Sequence, residues 1–363
     1  MRRILHVLYA ASGGGVERML LRFLTHMDRS GLQFDVALCT PRRGMLEARF
    51  EALGCRVMHL PQRSRHPLAH VRALLALLPG YDAVHSHQNE NGYVTLWAAK
   101  ACGVPSRILH SHYACPPESP GRRLYRRAGA ALGCAAATHL MACSEEAASW
   151  LFGRSAGVRI LPNAFSLERF AFDEAVRRGA RAELGLGGAL TLGCVARLEK
   201  QKNPGMLLDI LACVRAERPD ACLLLAGEGP LERALCDKAR ALGLEDAAHL
   251  LGLRDDVPRL LAAMDVFVLP TLAEGQGIVL AEAQAAGLPV LCSDVPGVKS
   301  ACVTPLVRRL NLGDGAQAWA SAALKMARLP RMDVRAALAE AGFDIGRQAE
   351  RLERFYRSLP ERR

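Results

Sequence analysis

Aromatic residues make up only 5% of the 363 positions, and nothing resembling a nucleic-acid module accompanies them, which speaks against nucleic acid as a partner. No apolar run reaches the length of a membrane span. The longest weakly polar stretch, residues 128–140, is alanine-rich and broken by Thr138 and His139, so it reads as a core helix. Behind Met1-Arg2-Arg3 the apolar segment Ile4-Leu5-His6-Val7-Leu8 is too short for a signal peptide. The 12 cysteines form no Cys-x-x-Cys pair and no Cys/His cluster at metal spacing. That usage excludes a disulfide scaffold or zinc site and fits reduced, buried thiols in a cytosol. Neither half carries the dinucleotide G-x-G-x-x-G fingerprint, so a nicotinamide dehydrogenase is disfavoured.

What is present points to a globular enzyme-sized chain. Half the residues are hydrophobic, no low-complexity tract or solenoid repeat interrupts them, and the length exceeds one typical core. Two domains are expected. Charge is uneven: residues 1–165 carry 20 Lys and Arg against 10 Asp and Glu, and residues 166–363 carry 27 against 26. A basic face on the first half suits a phosphorylated substrate or an anionic bilayer.

Taken in order, the chain alternates strand and helix. Residues 4–9 read as a strand, Ala11-Ser12-Gly13-Gly14-Gly15 as a loop and 16–26 as a helix. A phosphate or sugar on those glycine amides and a bare strand-to-helix turn are both compatible with this motif. Strands follow at 34–39, 57–60, 83–87 and 106–109, with helices at 45–53, 68–78 and 92–102. Regular alternation means a parallel sheet wrapped by helices, with ligand sites at the carboxyl ends of the strands. His85, His87, His110 and His112 fall at such ends; hydrogen bonding to a ligand is favoured for them over a metal, and a satisfied core role is open to any one of them. Residues 115–120 form a proline-rich loop before Arg122, Arg123, Arg126 and Arg127, which would line one flank of a helix. A solvated basic face and a surface docking on anionic headgroups are equally compatible with that flank. A strand at 140–143, a helix cap at Ser144-Glu145-Glu146 and a strand at 158–161 close the first half.

Residues 163–188, with Arg177, Arg178 and Gly187-Gly188, read as an irregular connection. A second alternating series begins at residue 190. Its first strand ends in Ala196-Arg197, and Gln201-Lys202-Asn203-Pro204 opens the next helix; a fork-shaped and a point cation at one strand exit would neutralise a diphosphate. A strand at 222–226 runs into Gly227-Glu228-Gly229-Pro230, and another at 249–253 ends near Arg254. The stretch from Phe267 to Val290 then joins a buried strand closed by Pro270 to a helix at 278–286 stopped by Gly287 and Pro289. Between them lie Glu274, Gly275 and Gly277, a carboxylate and glycines at a helix mouth, with Glu282 inside the helix. This arrangement suits a sugar nucleotide; it is also compatible with Glu274 complementing the helix dipole and Glu282 being solvated.

These strings, in this order and spacing, resemble a retaining glycosyltransferase of family 4 with the GT-B architecture, closest to members that build capsules and exopolysaccharides. The matching residues are Gly14-Gly15-Val16-Glu17, Val84-His85-Ser86-His87, Ile108-Leu109-His110-Ser111-His112, Ala142-Cys143-Ser144-Glu145, Leu161-Pro162-Asn163-Ala164, Ala196-Arg197-Leu198 with Gln201-Lys202-Asn203, Gly227-Glu228-Gly229-Pro230, and Glu274 with Glu282 ahead of Ala285-Ala286-Gly287-Leu288-Pro289.

The resemblance implies two Rossmann-like doubly wound domains facing a central cleft: an acceptor-binding domain at 1–165, a nucleotide-sugar donor domain at 166–342, and a terminal segment at 343–363 whose helix crosses back to the first. It implies that Glu274, Gly275 and the amides of Gln276 and Gly277 hold the donor sugar, Glu282 the ribose, Arg197 and Lys202 the diphosphate, and the backbone at Leu253-Arg254 the base. Gly14 and Gly15 would face the donor phosphate and acceptor. His110 matches a histidine near the transferred sugar, with His112 the alternate. No metal or cofactor is implied beyond a nucleotide-diphosphate sugar, with UDP the expected nucleotide, as co-substrate. The expected acceptor is a glycan or polyprenyl-diphosphate-linked glycan, reached from the cytoplasm with peripheral contact to anionic membrane. Two departures stand out: Ala196 where a glycine commonly precedes the phosphate arginine, and Gln276-Gly277 in place of an aromatic or aliphatic residue and proline. A sugar-nucleotide epimerase and a non-catalytic donor-binding subunit are the alternative readings.

Overall fold

Each half of the chain builds one wholly parallel sheet, because its strands are short, apolar and covered by helices on both faces. The computed structural model describes residues 1–114 and 119–362. They form two units, one of Met1–Phe165 with Asp344–Arg363 and one of Ser166–Phe343.

In the first unit the elements run β1 (Arg2–Leu8), α1 (Gly15–His26), β2 (Leu32–Leu38), α2 (Glu47–Ala52), β3 (Arg56–His59), α3 (Pro67–Leu77), β4 (Ala83–Ser86), α4 (Tyr93–Ala101), β5 (Ser106–Ser111), α5 (Pro120–Ala136), β6 (His139–Ala142), α6 (Glu145–Phe152) and β7 (Arg159–Ile160). The strand order is β3-β2-β1-β4-β5-β6-β7. Register pairs His6 with His85, and carries β4 beside β5 with His85 opposite Ile108. Since alternate residues share a face, His6, His85, His87, His110 and His112 all point to one side of the sheet. Ser144 caps α6 by accepting from the Ala147 amide at 3.1 Å, as the Ser-Glu-Glu string predicts. The proline-rich loop lies largely outside the described residues, which omit 115–118.

The second unit runs α7 (Glu174–Glu183), β8 (Thr191–Val195), α8 (Pro204–Glu217), β9 (Cys222–Ala226), α9 (Glu232–Ala241), β10 (Ala248–Leu250), α10 (Val257–Ala263), β11 (Val266–Leu269), α11 (Ile278–Ala285), β12 (Val290–Ser293), β13 (Val307–Leu310), α12 (Gly315–Met326) and α13 (Arg335–Glu340). Its strand order is β10-β9-β8-β11-β12-β13. Here the expectation of an irregular connection over 163–188 is corrected: α7 is a helix. Asp173 caps it by accepting from the Ala175 and Val176 amides at 2.6 and 3.1 Å. Its arginines then act as tertiary anchors, Arg177 donating to Asp265 at 2.6 Å and Arg181 to the Ala263 carbonyl at 2.8 Å. Few apolar residues mark such a helix, because its hold is polar. The expected strand at 249–253 is also shorter, since Gly252 turns to φ +64° and offers its carbonyl to the Gly227 amide.

The last helix, α14 (Ile345–Ser358), belongs to the first unit. Ile345, Ala349, Leu352, Phe355 and Tyr356 are buried in one core with Met19, Leu20, Phe23 and Leu24 of α1 and Phe34 of β2. Each large side chain so buried contributes about 1.5–3 kcal/mol. Asp344 caps the helix by accepting from the Arg347 amide at 2.8 Å, and Arg2 donates to the Tyr356 carbonyl at 3.0 Å.

Candidate active site

In the second unit the predicted residues gather along the carboxyl rim of the sheet. The exits of β8, β9 and β10 are joined through backbone: Leu198 N–H donates to Glu228 O at 2.9 Å and Gly227 N–H to Gly252 O at 2.8 Å. Gly227 lies so close to this join that a Cβ there would sit 1.9 Å from the Ala196 carbonyl oxygen. The loop after β11 is stapled to its neighbours. Thr271 Oγ1 reaches Gln201 O at 2.9 Å, Gln201 Nε2 donates to Ala273 O at 2.8 Å, and Ser293 Oγ donates to Thr271 O at 2.5 Å. Behind Glu274 stands Gly297, where an added Cβ would approach the Glu274 carbonyl oxygen to 1.7 Å.

That frame holds one ion pair. Lys202 Nζ donates to both oxygens of Glu274, at 2.6 and 2.7 Å, with side-chain exposures of 16% and 7%. Gly277, at φ +69°, begins α11, and Gln276 and Glu282 are buried beside this loop and on that helix. The other two predicted residues at the rim have different partners. Arg197, 68% exposed, pairs with Glu199 at 2.8 Å. Arg254 makes two bonds to Asp256, at 2.8 and 2.7 Å, which raise its pKa above the ordinary value; Leu253 beside it is exposed. Arg197 and Lys202, expected to neutralise a diphosphate together, are each paired with a carboxylate of their own, Glu199 and Glu274. Thr271, Ser293 and Gly297, which build the frame with Gln201, escape sequence reasoning because their roles are contacts with distant backbone.

In the first unit Gly14 precedes α1 and Gly15 opens it, and Glu17 turns back toward them, its Oε2 lying 2.5 Å from where a Gly14 Cβ would be. Among the described residues nothing lies within 4 Å of a Cβ on Gly15. The histidines form two hydrogen-bonded chains. Tyr356 Oη lies 2.6 Å from His85 Nδ1, and His85 Nε2 lies 3.0 Å from His110 Nδ1. His6 Nδ1 lies 2.9 Å from His87 Nε2, and His87 Nδ1 lies 2.8 Å from His112 Nε2. Burial holds His6 and His112 down to about 3. It lowers His85, His87 and His110 well below 6.5, with neighbouring histidines adding to the effect, so the cluster is uncharged at neutral pH. His6 and Tyr356 were not singled out from sequence. His6 shares a face with the others by strand alternation, which could have found it; Tyr356 sits in the apolar spacing of the last helix, which marks it as a core position and not as a partner of histidines.

Two groups, His6 with His85 and His87, and His87 with His110 and His112, bring ring nitrogens within 4.8 Å of one another, a spacing that could hold a metal. Their chemistry fits one poorly. Their ring nitrogens are already engaged with one another, His6 with His87 at 2.9 Å, His85 with His110 at 3.0 Å and His87 with His112 at 2.8 Å, and His85 and His87 stack at 4.2 Å with planes 18° apart.

The family profile for glycosyl transferase 4-like domains matches residues 14–164, and that for glycosyl transferases group 1 matches residues 189–328. Over 99% of its length the chain is 33% identical to EpsF of Bacillus subtilis (strain 168), a glycosyltransferase by assignment, covering 98% of that protein. It is 29% identical to the UDP-Gal:alpha-D-GlcNAc-diphosphoundecaprenol alpha-1,3-galactosyltransferase of Escherichia coli, over 81% of this chain and 80% of that one. Among solved structures, Anabaena Alr3699/HepE in complex with UDP and glucose superposes with a TM-score of 0.82 at 21% identity, covering 99% of this chain and all of that one. The paired parallel sheets, the charged loop at one sheet rim and these matches agree: the chain belongs to the family 4 glycosyltransferases and is a glycosyltransferase of the GT-B fold.

Proposed function

We propose that this enzyme is a retaining hexosyltransferase that moves a hexose or N-acetylhexosamine from a UDP-sugar to a polyprenyl-diphosphate-linked glycan, in the assembly of a cell-surface or exopolysaccharide. The observation that carries the reading is the Lys202–Glu274 pair in its stapled loop. It puts a cation and a hydroxyl-binding carboxylate side by side, as the junction between a sugar and its leaving diphosphate requires. The name of the Escherichia coli relative supports a UDP-sugar and a lipid diphosphate acceptor, and UDP in a structural neighbour supports the nucleotide.

In this reading Glu274, Gly275 and the amides of Gln276 and Gly277 receive the sugar hydroxyls. Glu282 receives the ribose, and the backbone at Leu253-Arg254 the uracil. Arg197 leaves Glu199 to join Lys202 on the diphosphate. Gly14 and Gly15 face the phosphate and acceptor, and His110 stands beside the transferred sugar. The bond from C1 to the β-phosphate oxygen breaks as the acceptor oxygen bonds to C1 on the same face. The acceptor's proton passes to the departing phosphate oxygen. Negative charge grows on the diphosphate, so preorganised cations there lower the barrier by several kcal/mol.

The acceptor's lipid would bring the enzyme to the cytoplasmic face of the membrane, and no helix among the described residues is long and apolar enough to cross it. On α5, Arg123 and Arg127 are exposed beside Leu124, whereas Arg122 pairs with Glu90 at 2.8 Å and Arg126 lies over the Trp150 ring. The outer part of that face is suited to anionic headgroups.

The test is incubation with radiolabelled UDP-hexoses and a polyprenyl-diphosphate N-acetylhexosamine. The expected product is a labelled lipid whose new linkage keeps the donor's anomeric configuration. An epimerised nucleotide, an inverted linkage, or binding without turnover would overturn the reading.

A further inference from the structure

We infer that Tyr356, on the last helix of the chain, is a positioning residue: through His85 it sets the tautomer of His110, so that His110 presents Nε2–H as a hydrogen-bond donor. The inference rests on the reading of His110 as the histidine beside the transferred sugar.

The direction of the chain follows from counting partners. Tyr356 is fully buried, and its hydroxyl meets one partner among the described residues, His85 Nδ1 at 2.6 Å. Were the phenol to accept from an Nδ1–H, its own proton would be buried without an acceptor and His110 Nε2 would be a buried acceptor without a donor, so both ends of the chain would be unmatched. When it donates, no group before the end of the chain is left unmatched. His85 Nδ1 is then the acceptor nitrogen, so its proton is on Nε2 and is donated to His110 Nδ1 at 3.0 Å. A neutral imidazole carries one proton, and burial keeps both rings neutral. His110 must therefore carry its proton on Nε2. That atom is buried and has no hydrogen-bond partner among the described residues, so the one unmatched group of the chain is a donor at the carboxyl end of β5.

The neighbouring chain shows what the tyrosine adds. His6, His87 and His112 are joined by contacts of 2.9 and 2.8 Å, but both ends, His6 Nε2 and His112 Nδ1, lack partners. Protons run equally well in either direction there. Only the chain that begins at Tyr356 has an end that carries a proton whatever its partner does, whereas either imidazole end of the other can serve as donor or as acceptor. The phenol is held in place by core packing: its ring meets His6 edge-on at 6.0 Å and Phe34 at 5.5 Å, and Arg2 grips its carbonyl.

Nitrogen-15 NMR of histidine-labelled full-length protein reads the tautomers directly, with signals assigned from single His→Gln variants. Wild type is expected to show His85 and His110 each protonated on Nε2. In Tyr356→Phe both rings should lose that single form, with kcat falling about tenfold and KM for the donor within about twofold. His85→Gln keeps one acceptor and one donor and should retain the His110 signature, whereas His85→Leu should lose it. A wild-type His110 protonated on Nδ1, or His85→Gln and His85→Leu giving the same spectrum, overturns the inference whether or not Tyr356→Phe folds. A wild-type spectrum as expected, with full activity in His110→Ala, would instead count against the placement of His110 by the sugar.

Discussion

The two sheets share one strand order over six strands, the first adding β7 at its edge, and their rims are equipped in opposite ways. The second unit keeps its charges and neutralises them in pairs, Lys202 with Glu274, Arg197 with Glu199 and Arg254 with Asp256. The first gathers five imidazoles on one face and strips them of charge by burial. The difference teaches how labour is divided in the proposed reaction. Charge develops on the leaving diphosphate, so ionised groups belong to the rim that holds it. An acceptor hydroxyl, as proposed, would call for directed hydrogen bonds, and neutral rings provide those without a competing field.

Acid should break the comparison most deeply. An unfolded histidine takes up a proton below about pH 6.5, whereas folded His6 and His112 resist until about 3. The unfolded chain therefore binds more protons across that window, and stability falls as pH falls from 6.5 toward 3. Each such histidine costs about 1.4 kcal/mol per pH unit. Urea unfolding at pH 7 and pH 5 should show a much lower midpoint at pH 5; equal midpoints would mean that the rings are accessible and charged.

Next in size is the paired rim. Lys202→Ala leaves a buried carboxylate alone, at a cost of about 3–5 kcal/mol in stability, and should slow transfer about a hundredfold. The double variant Lys202→Met with Glu274→Leu should regain most of the stability and none of the transfer. Near-wild-type transfer by the single variant would sink the assignment of Lys202 to the diphosphate.

Gly297→Ala sharpens the same point more gently. A methyl group at φ +86° and 1.7 Å from the Glu274 carbonyl oxygen should cost about 1–3 kcal/mol and raise the donor KM by moving Glu274. An unchanged melting temperature would show that the backing loop is not held there. Smallest is Glu199→Ala, which releases a largely exposed arginine and should change stability by less than about 0.5 kcal/mol in a melting scan.

Much of this is legible in the chain. Periodicity marks β1 through β5 and the opening of α1; Ser144 announces α6; and the helical spacing of Leu352, Phe355, Tyr356 and Leu359 in the sequence outlines α14. Glu274 and Lys202 are both visible as loop residues at strand ends, 72 positions apart. That they would bond to each other is not, because strand ends show where loops converge and not which side chains meet. The helix α7 is missed for a related reason: its arginines are anchored to Asp265 and to the backbone after α10, partners that no window around residue 177 contains.

By itself the sequence determined the parallel α/β architecture and the family, since both are carried by local periodicity and by short strings in a set order. Only the tertiary structure decided which ions are paired, that five histidines from three strands lie together uncharged, and that a tyrosine near the carboxyl terminus directs one of them. Charge state and proton direction depend on burial and on partners hundreds of residues away, and those exist only once the chain has folded.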